Sequence, residues 1–232
     1  MKMAKIMEVL KAFCKEIEKE NPFGLILKGG TALALYHFNH RESEDLDFDV
    51  DISLRKDYQK LEEYFKRIFD QLQQQKLIVE YRITKSDFAA TNRFHLKVEL
   101  KTAKTYYSKI DLDFIELPTL VEKIGELKIY PLERMFIGKS IAFVNRKEFK
   151  DLYDLAYLTP KIAPEKITKK KEVAKLLQRV INTAQTQDTA TLFRLAFRNV
   201  DLKFKDMKES KIDEFVAATI QKIRKVISTL NR

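Results

Sequence analysis

Apolar residues recur at helical spacing from Ile6 through Val9, Leu10, Phe13 and Ile17, which predicts an opening helix ending near Asn21-Pro22. Leu25-Ile26-Leu27, bounded by Gly24 and by Gly29-Gly30, reads as a short buried strand, and Thr31–Leu35 suits a helix directly after the glycine pair. From Leu46 to Val50 the pattern changes to strict alternation of apolar and acidic residues. Residues 56–75 return to a helical stripe of Leu61, Tyr64, Phe65, Ile68, Phe69 and Leu72. Three strand-like runs follow, Leu77–Thr84, Phe94–Leu100 and Tyr106–Glu116. Pro131 is placed to begin a helix that continues to Phe143, and a second helix covers Glu148–Leu158. Thr159-Pro160-Lys161-Ile162-Ala163-Pro164 is the best linker candidate. Beyond it Val173–Thr183, Thr189–Phe197 and Ile212–Leu230 all carry helical spacing. The order predicts an α/β (α+β) chain: a mixed sheet with flanking helices over 1–158, then a basic helical domain over 165–232.

Composition narrows the class. With 45% apolar residues and sixteen phenylalanines in 232 residues, the chain has ample material for a core and does not resemble a disordered one. Its single cysteine, Cys14, forbids an intrachain disulfide, which points to a reducing cytoplasm. No membrane or targeting segment is expected, since no run of about 18 uncharged apolar residues occurs. The net charge of +10 is uneven. Residues 1–159 carry 27 basic and 26 acidic side chains, whereas residues 160–232 carry 17 and 8. That asymmetry suits a lobe that attracts phosphates, although a lysine-rich solvated helix surface would look the same.

The stretch Arg41-Glu42-Ser43-Glu44-Asp45-Leu46-Asp47-Phe48-Asp49-Val50-Asp51 carries the chemistry. On a strand Asp45, Asp47 and Asp49 share one face and Leu46, Phe48 and Val50 the other. Crowded carboxylates repel, and a hard cation relieves the repulsion while leaving room for substrate phosphates. An EF-hand is excluded: counted from Asp45, its required Gly and Glu positions hold Val50 and Lys56. Fifteen residues before Asp45 lies Lys28-Gly29-Gly30-Thr31, between a predicted strand and a predicted helix. Glycines at such a turn let the backbone approach a phosphate. Gly138-Lys139-Ser140 imitates the end of a P-loop, but the earlier glycine is Glu133 and the stretch reads as mid-helix.

Leu27-Lys28-Gly29-Gly30-Thr31-Ala32-Leu33, followed by Arg41-x-Ser43-x-Asp45-Leu46-Asp47-Phe48, resembles the nucleotidyltransferase toxins of the AbiEii/AbiGii family, which include the MenT toxins. Pro131-Leu132-Glu133-Arg134, Lys139, Arg146 and Lys150-Asp151-Leu152-Tyr153-Asp154-Leu155 look like the family's second signature. The resemblance implies a nucleotidyltransferase fold and a set of roles. Gly29, Gly30 and Thr31 would cradle a nucleoside triphosphate, with Lys28, Arg41 and Ser43 beside it. Asp45 and Asp47 would hold Mg2+ (or Mn2+), Lys139 would contact phosphate, and Asp154 would complete the site. The third carboxylate stays open among Asp111, Asp113 and Asp154, the first two lying in Ile110-Asp111-Leu112-Asp113-Phe114. Gly30 stands where the wider superfamily commonly has serine.

Each residue has a plainer reading beside it. Lys139 lies in a largely apolar helix and could simply snorkel to water. Asp151 and Asp154 share a helix face with Arg146 or Lys150 and could form an ion-pair network. Arg41 could balance the acidic strand. His37, His40 and His95 make no metal motif, and Cys14 reads as a buried small hydrophobe. The aromatic residues among the late cations, Phe193, Phe197 and Phe204, are more often core than base-stacking. The resemblance implies transfer of a nucleoside monophosphate to RNA, plausibly a tRNA 3′ end, by a toxin with a cognate antitoxin. The competing expectations are transfer to a small molecule, as in antibiotic-modifying enzymes, and a non-catalytic nucleic-acid or antitoxin-binding module.

Overall fold

The computed structural model describes residues 2–88, 93–102, 104–186 and 211–232, which fall into two compact units, Met1–Tyr130 and Pro131–Arg232. The first unit is built on a seven-stranded mixed sheet. In chain order its elements are α1 (Lys2–Lys19), β1 (Ile26–Lys28), α2 (Gly29–Ala32), β2 (Leu46–Asp51), α3 (Tyr58–Gln74), β3 (Glu80–Phe88), β4 (Arg93–Lys101), β5 (Thr105–Ile115), β6 (Glu122–Ile124) and β7 (Leu127–Ile129). The strand order is β3-β4-β5-β2-β1-β7-β6. β2 and β5 run parallel, as do β1 and β7, and the other neighbours are antiparallel.

The alternation in the strands decides which face is covered. Leu46, Phe48, Val50, Leu96, Val98, Leu100, Ile110, Leu112 and Phe114 are all buried. α1 and α3 supply the matching apolar stripes: Phe13 packs on Phe65 and Phe69 at ring-centroid distances of 5.6 and 4.9 Å, and Phe48 stacks on Phe65 at 6.2 Å. Burying one such side chain contributes about 1.5–3 kcal/mol, so this face alone holds the sheet against its helices. The opposite face carries the polar members of the same alternations.

α1 stops where the sequence predicts. Beyond its end Asn21 pins the turn into β1, its Oδ1 accepting from the Leu25 amide at 2.8 Å and its Nδ2 donating to the Leu25 and Glu126 carbonyls at 3.0 Å. After β1 the chain turns through Gly29, whose φ of +75° favours glycine, and α2 continues into a π-helical turn, Leu33–His37. Two details differ from expectation. The third strand begins at Glu80 rather than Leu77, because residues 75–79 leave α3 through a turn with Lys76 at φ +60°. A 3-10 turn, Ile52–Asp57, precedes α3 where the periodicity predicts helix from residue 56.

The second unit contains α4 (Leu132–Arg146), α5 (Phe149–Leu158), α6 (Lys170–Thr186) and α7 (Ile212–Leu230), with a 3-10 turn at Pro164–Lys166. Their stripes meet in a helical core: Phe215 lies 5.9 Å from Phe149 and 5.5 Å from Tyr153. α4 and α5 pack with the C-terminal helices in the compact unit Pro131–Arg232. The predicted helix Thr189–Phe197, with Phe193, Phe197, Phe204 and the cations around them, lies outside the described residues. Among the described residues no helix is long and apolar enough to cross a membrane.

Candidate active site

The register of four strands arranges the polar face of the first unit into rows. Lys28, Asp47, Asp111 and His95 form one row, because Lys28 pairs with Asp47, Asp47 with Asp111 and Asp111 with His95. The next row runs through Asp49, Asp113 and Arg93. Neighbouring strands stand about 4.8 Å apart, so the carboxylates of each row are forced into proximity by backbone hydrogen bonding.

Most of that negative charge is balanced within the face. Lys28 binds both Asp49 and Asp113, the latter at 2.6 Å, and Arg93 reaches Asp113 at 2.8 Å. Burial alone would lower the pKa of Lys28, but the Asp49 and Asp113 carboxylates outweigh it and hold the ammonium above its usual value. Asp49, 5% exposed, also accepts from the Tyr130 hydroxyl. Asp111 contacts Nδ1 of His95. Asp45 accepts from the Lys109 amide at 3.0 Å, with Lys109 Nζ 3.8 Å from its other oxygen.

The glycine turn lies against this acidic face. A side chain at Gly29 would collide with the Asp47 carboxylate, and one at Gly30 with the Arg41 guanidinium. Thr31, fully buried, donates to the Asp45 carbonyl and bonds the Ser43 hydroxyl at 2.9 Å. Arg41 is 4% exposed and donates to the Glu42 carbonyl at 2.9 Å. The structure therefore brings Gly29, Gly30, Thr31, Arg41, Ser43, Asp45 and Asp47 together, with Asp111 beside Asp47. Lys28 and Asp113 belong to the adjoining salt-bridge group.

Could this set hold a divalent ion? Asp47 and Asp111 are oxygen donors on adjacent strands and Asp45 directly precedes β2, and magnesium needs only one or two protein carboxylates when phosphates and water complete its shell. The donor chemistry fits. A preformed cage is absent: no cluster of three or more His, Cys, Asp or Glu side chains is arranged as a metal site among the described residues. Asp113, carrying two cations, is the poorest donor of the four aspartates considered for metal.

Lys139 and Asp154 belong to the second unit, in a buried network. Lys139 Nζ lies 2.6 Å from Asp154 and 3.2 Å from Asp151, and Arg146 binds both oxygens of Asp151 at 2.8 and 2.9 Å. Asp151 and Asp154 are fully buried and Lys139 is 8% exposed. Gly138-Lys139-Ser140 lies inside α4, as expected for a stretch that is not a P-loop.

The sequence reading gave no role to Tyr130, Arg93 or Lys109, and it placed Asp49 on the acidic face without its partners Lys28 and Tyr130. The alternation along β4 places Arg93 and His95 on one face, but which strand lies alongside is a matter of register.

A family model described as the nucleotidyl transferase AbiEii toxin of a type IV toxin–antitoxin system matches residues 10–225. No curated protein matches the chain. Among solved structures, one from H. pylori described as a candidate nucleotidyltransferase superposes with a TM-score of 0.68 at 20% identity, covering 99% of this chain and 96% of that one. A second, JHP933 from Helicobacter pylori, has a TM-score of 0.66 at 20% identity, over 97% of this chain and 91% of that one. At such identity these two establish a shared fold. The family match spans nearly all of the 232 residues, and this chain belongs to the AbiEii nucleotidyltransferase toxin family.

Proposed function

We propose that the chain transfers a nucleoside monophosphate from a nucleoside triphosphate to a hydroxyl of RNA, with a tRNA 3′ end the favoured acceptor. The observation that carries the reading is the contact between the Gly29 turn and the Asp47 carboxylate, reinforced by the bond from Thr31 to the Asp45 backbone. A phosphate-approachable turn and a cation-binding acidic pair then form one site.

Asp45, Asp47 and Asp111 would hold Mg2+ or Mn2+, which when bound neutralises charge on the triphosphate. Backbone amides at Gly29–Thr31 orient the pyrophosphate side, and the absence of side chains at Gly29 and Gly30 lets the Asp47 carboxylate and the Arg41 guanidinium lie directly against the turn. Arg41, held against Gly30, adds positive charge beside the turn. The Thr31–Ser43–Asp45 bonds fix the turn relative to the acids. The acceptor oxygen bonds to the α-phosphorus as the bond to pyrophosphate breaks. One carboxylate of the acidic row takes the hydroxyl proton. Modification of RNA by a toxin calls for a cognate antitoxin, and growth arrest is the expected outcome without one.

Purified protein incubated with each labelled triphosphate, Mg2+ and total RNA should label a discrete RNA band. Asp45→Ala or Asp47→Ala should abolish labelling while leaving the circular-dichroism spectrum unchanged. Label on a small molecule would replace the acceptor, and full activity in either variant would refute the site.

A further inference from the structure

Beside the acidic row, on the same sheet face, lies a cleft of about 560 Å³ lined by residues of β3, β4, β5 and the segment entering β2, including the carboxylates Glu44, Asp45 and Glu99 and the cations Arg82, Lys97 and Lys109, with Tyr107 at its wall. Lys97 and Lys109 are direct register partners on β4 and β5, and both are exposed. Like charges placed opposite each other in a sheet repel. Asp45, 3.8 Å from Lys109 Nζ, relieves part of this repulsion, and an anion beside Lys97 would relieve the rest. Arg82 stands diagonally from Lys97, since Arg82 pairs with Glu99 and Thr84 with Lys97. Among the described residues neither Lys97 nor Arg82 forms an ion pair. Tyr107 shares the face of Lys109 and is 69% exposed, an unusual placement for a large ring.

The position relative to the acids selects the occupant. Along β5, Tyr107, Lys109 and Asp111 follow one another on one face at intervals of about 6.6 Å. The glycine turn meets the acids from the β1 side, whereas Lys97 and Lys109 flank them from the β4–β5 side. Phosphates seated on the turn are therefore not those seated on the lysines. An exposed ring beside paired cations is the arrangement that stacks an unpaired base while holding its backbone.

We propose that this cleft is the acceptor subsite, in which Lys97, Lys109 and Arg82 hold backbone phosphates of a single-stranded RNA end and Tyr107 stacks one of its bases. The assignment rests on the transfer reaction proposed above and names where its acceptor binds.

The test compares wild-type protein with Arg82→Ala/Lys97→Ala, which spares the Lys109 contact to Asp45, and with Tyr107→Ala. A fluorescein-labelled 12-nucleotide single-stranded RNA is titrated by anisotropy at several salt concentrations, and a fluorescent triphosphate analogue is titrated in parallel. The double variant should bind RNA about tenfold or more weakly, with a salt slope smaller by about 1.4 for two lost single-strand phosphate contacts. Tyr107→Ala should weaken RNA binding about tenfold with its salt slope unchanged. Triphosphate affinity and melting temperature should stay at wild-type values in both. RNA affinity equal to wild type in both variants overturns the proposal, as does a parallel loss of triphosphate binding in the double variant. Tyr107 is exposed, so its variant reports even where the Arg82/Lys97 pair proves necessary for folding. Failure of the transfer reaction is read separately: wild type that labels no acceptor yet binds RNA through these residues defeats the enzymatic reading and leaves an RNA-binding cleft. Wild type that labels RNA while the variants bind it normally defeats only the cleft.

Discussion

At the scale of single residues, Gly29 and Cys14 show how local physics constrains what substitutions can do. Gly29 combines a φ of +75° with a carboxylate where a Cβ would go. Alanine there carries about 1–2 kcal/mol of backbone strain and pushes Asp47 out of place. Gly29→Ala should therefore lower transfer about 10²-fold or more, the scale expected when reacting groups are displaced by about 1 Å, with only a modest drop in melting temperature. Activity near wild type would show that the turn does not position the acids. Cys14 is fully buried, and burial pushes its thiol up to about 12. The unfolded thiol titrates near 8.5, at about that pH. Stability from the neutral buried thiol is thus complete below that value and declines as pH rises toward the folded value. Iodoacetamide at pH 8.5 should alkylate the native protein slowly and the urea-unfolded chain rapidly; equal rates would contradict the burial.

At the scale of elements, β2 was legible because alternation makes a half-buried strand nearly self-declaring, and the glycine pair was legible because it sits between an apolar run and a helical pattern. What could not be read was register. Lys28, Asp113 and Arg93 are far apart in sequence, yet the pairing of β1, β2, β5 and β4 makes them one ion-pair group. That pairing gives Lys28 and Asp113 each other as partners, which neither segment shows alone. β6 and β7, three residues each, are too short to show a period. In α4 and α5 the motif was visible, whereas the burial of its charges was not. Removing one partner of a buried ion pair costs about 3–5 kcal/mol, because the remaining charge has lost its compensation. Lys139→Met should accordingly destabilise the protein by about that amount in chemical denaturation. Adding Asp154→Leu should recover part of the loss, since two apolar groups replace the pair. Recovery of stability without recovery of transfer would separate a role for these residues in the reaction from their role in the fold. No recovery of stability would mean that Asp154 is compensated from elsewhere.

At the scale of the whole molecule, charge is the property that no single element explains. Residues 160–232 hold 17 basic and 8 acidic side chains, and Lys170, Lys171, Lys175 and Arg179 are exposed on α6. A surface of this kind attracts any polyanion by releasing its counterions, and the attraction is blind to sequence. It differs from the Lys97/Lys109 cleft, where the cations face one another beside an exposed ring. Neutralising Lys170, Lys171 and Lys175 together should therefore weaken binding of all RNAs alike and flatten the salt dependence. It should leave single-turnover labelling of bound RNA at the wild-type rate. The measurement is the slope of log affinity against log salt for the triple variant and for wild type, alongside transfer at saturating RNA. A slope unchanged by the three substitutions would show that the basic excess of α6 is a solvated surface with no part in holding nucleic acid.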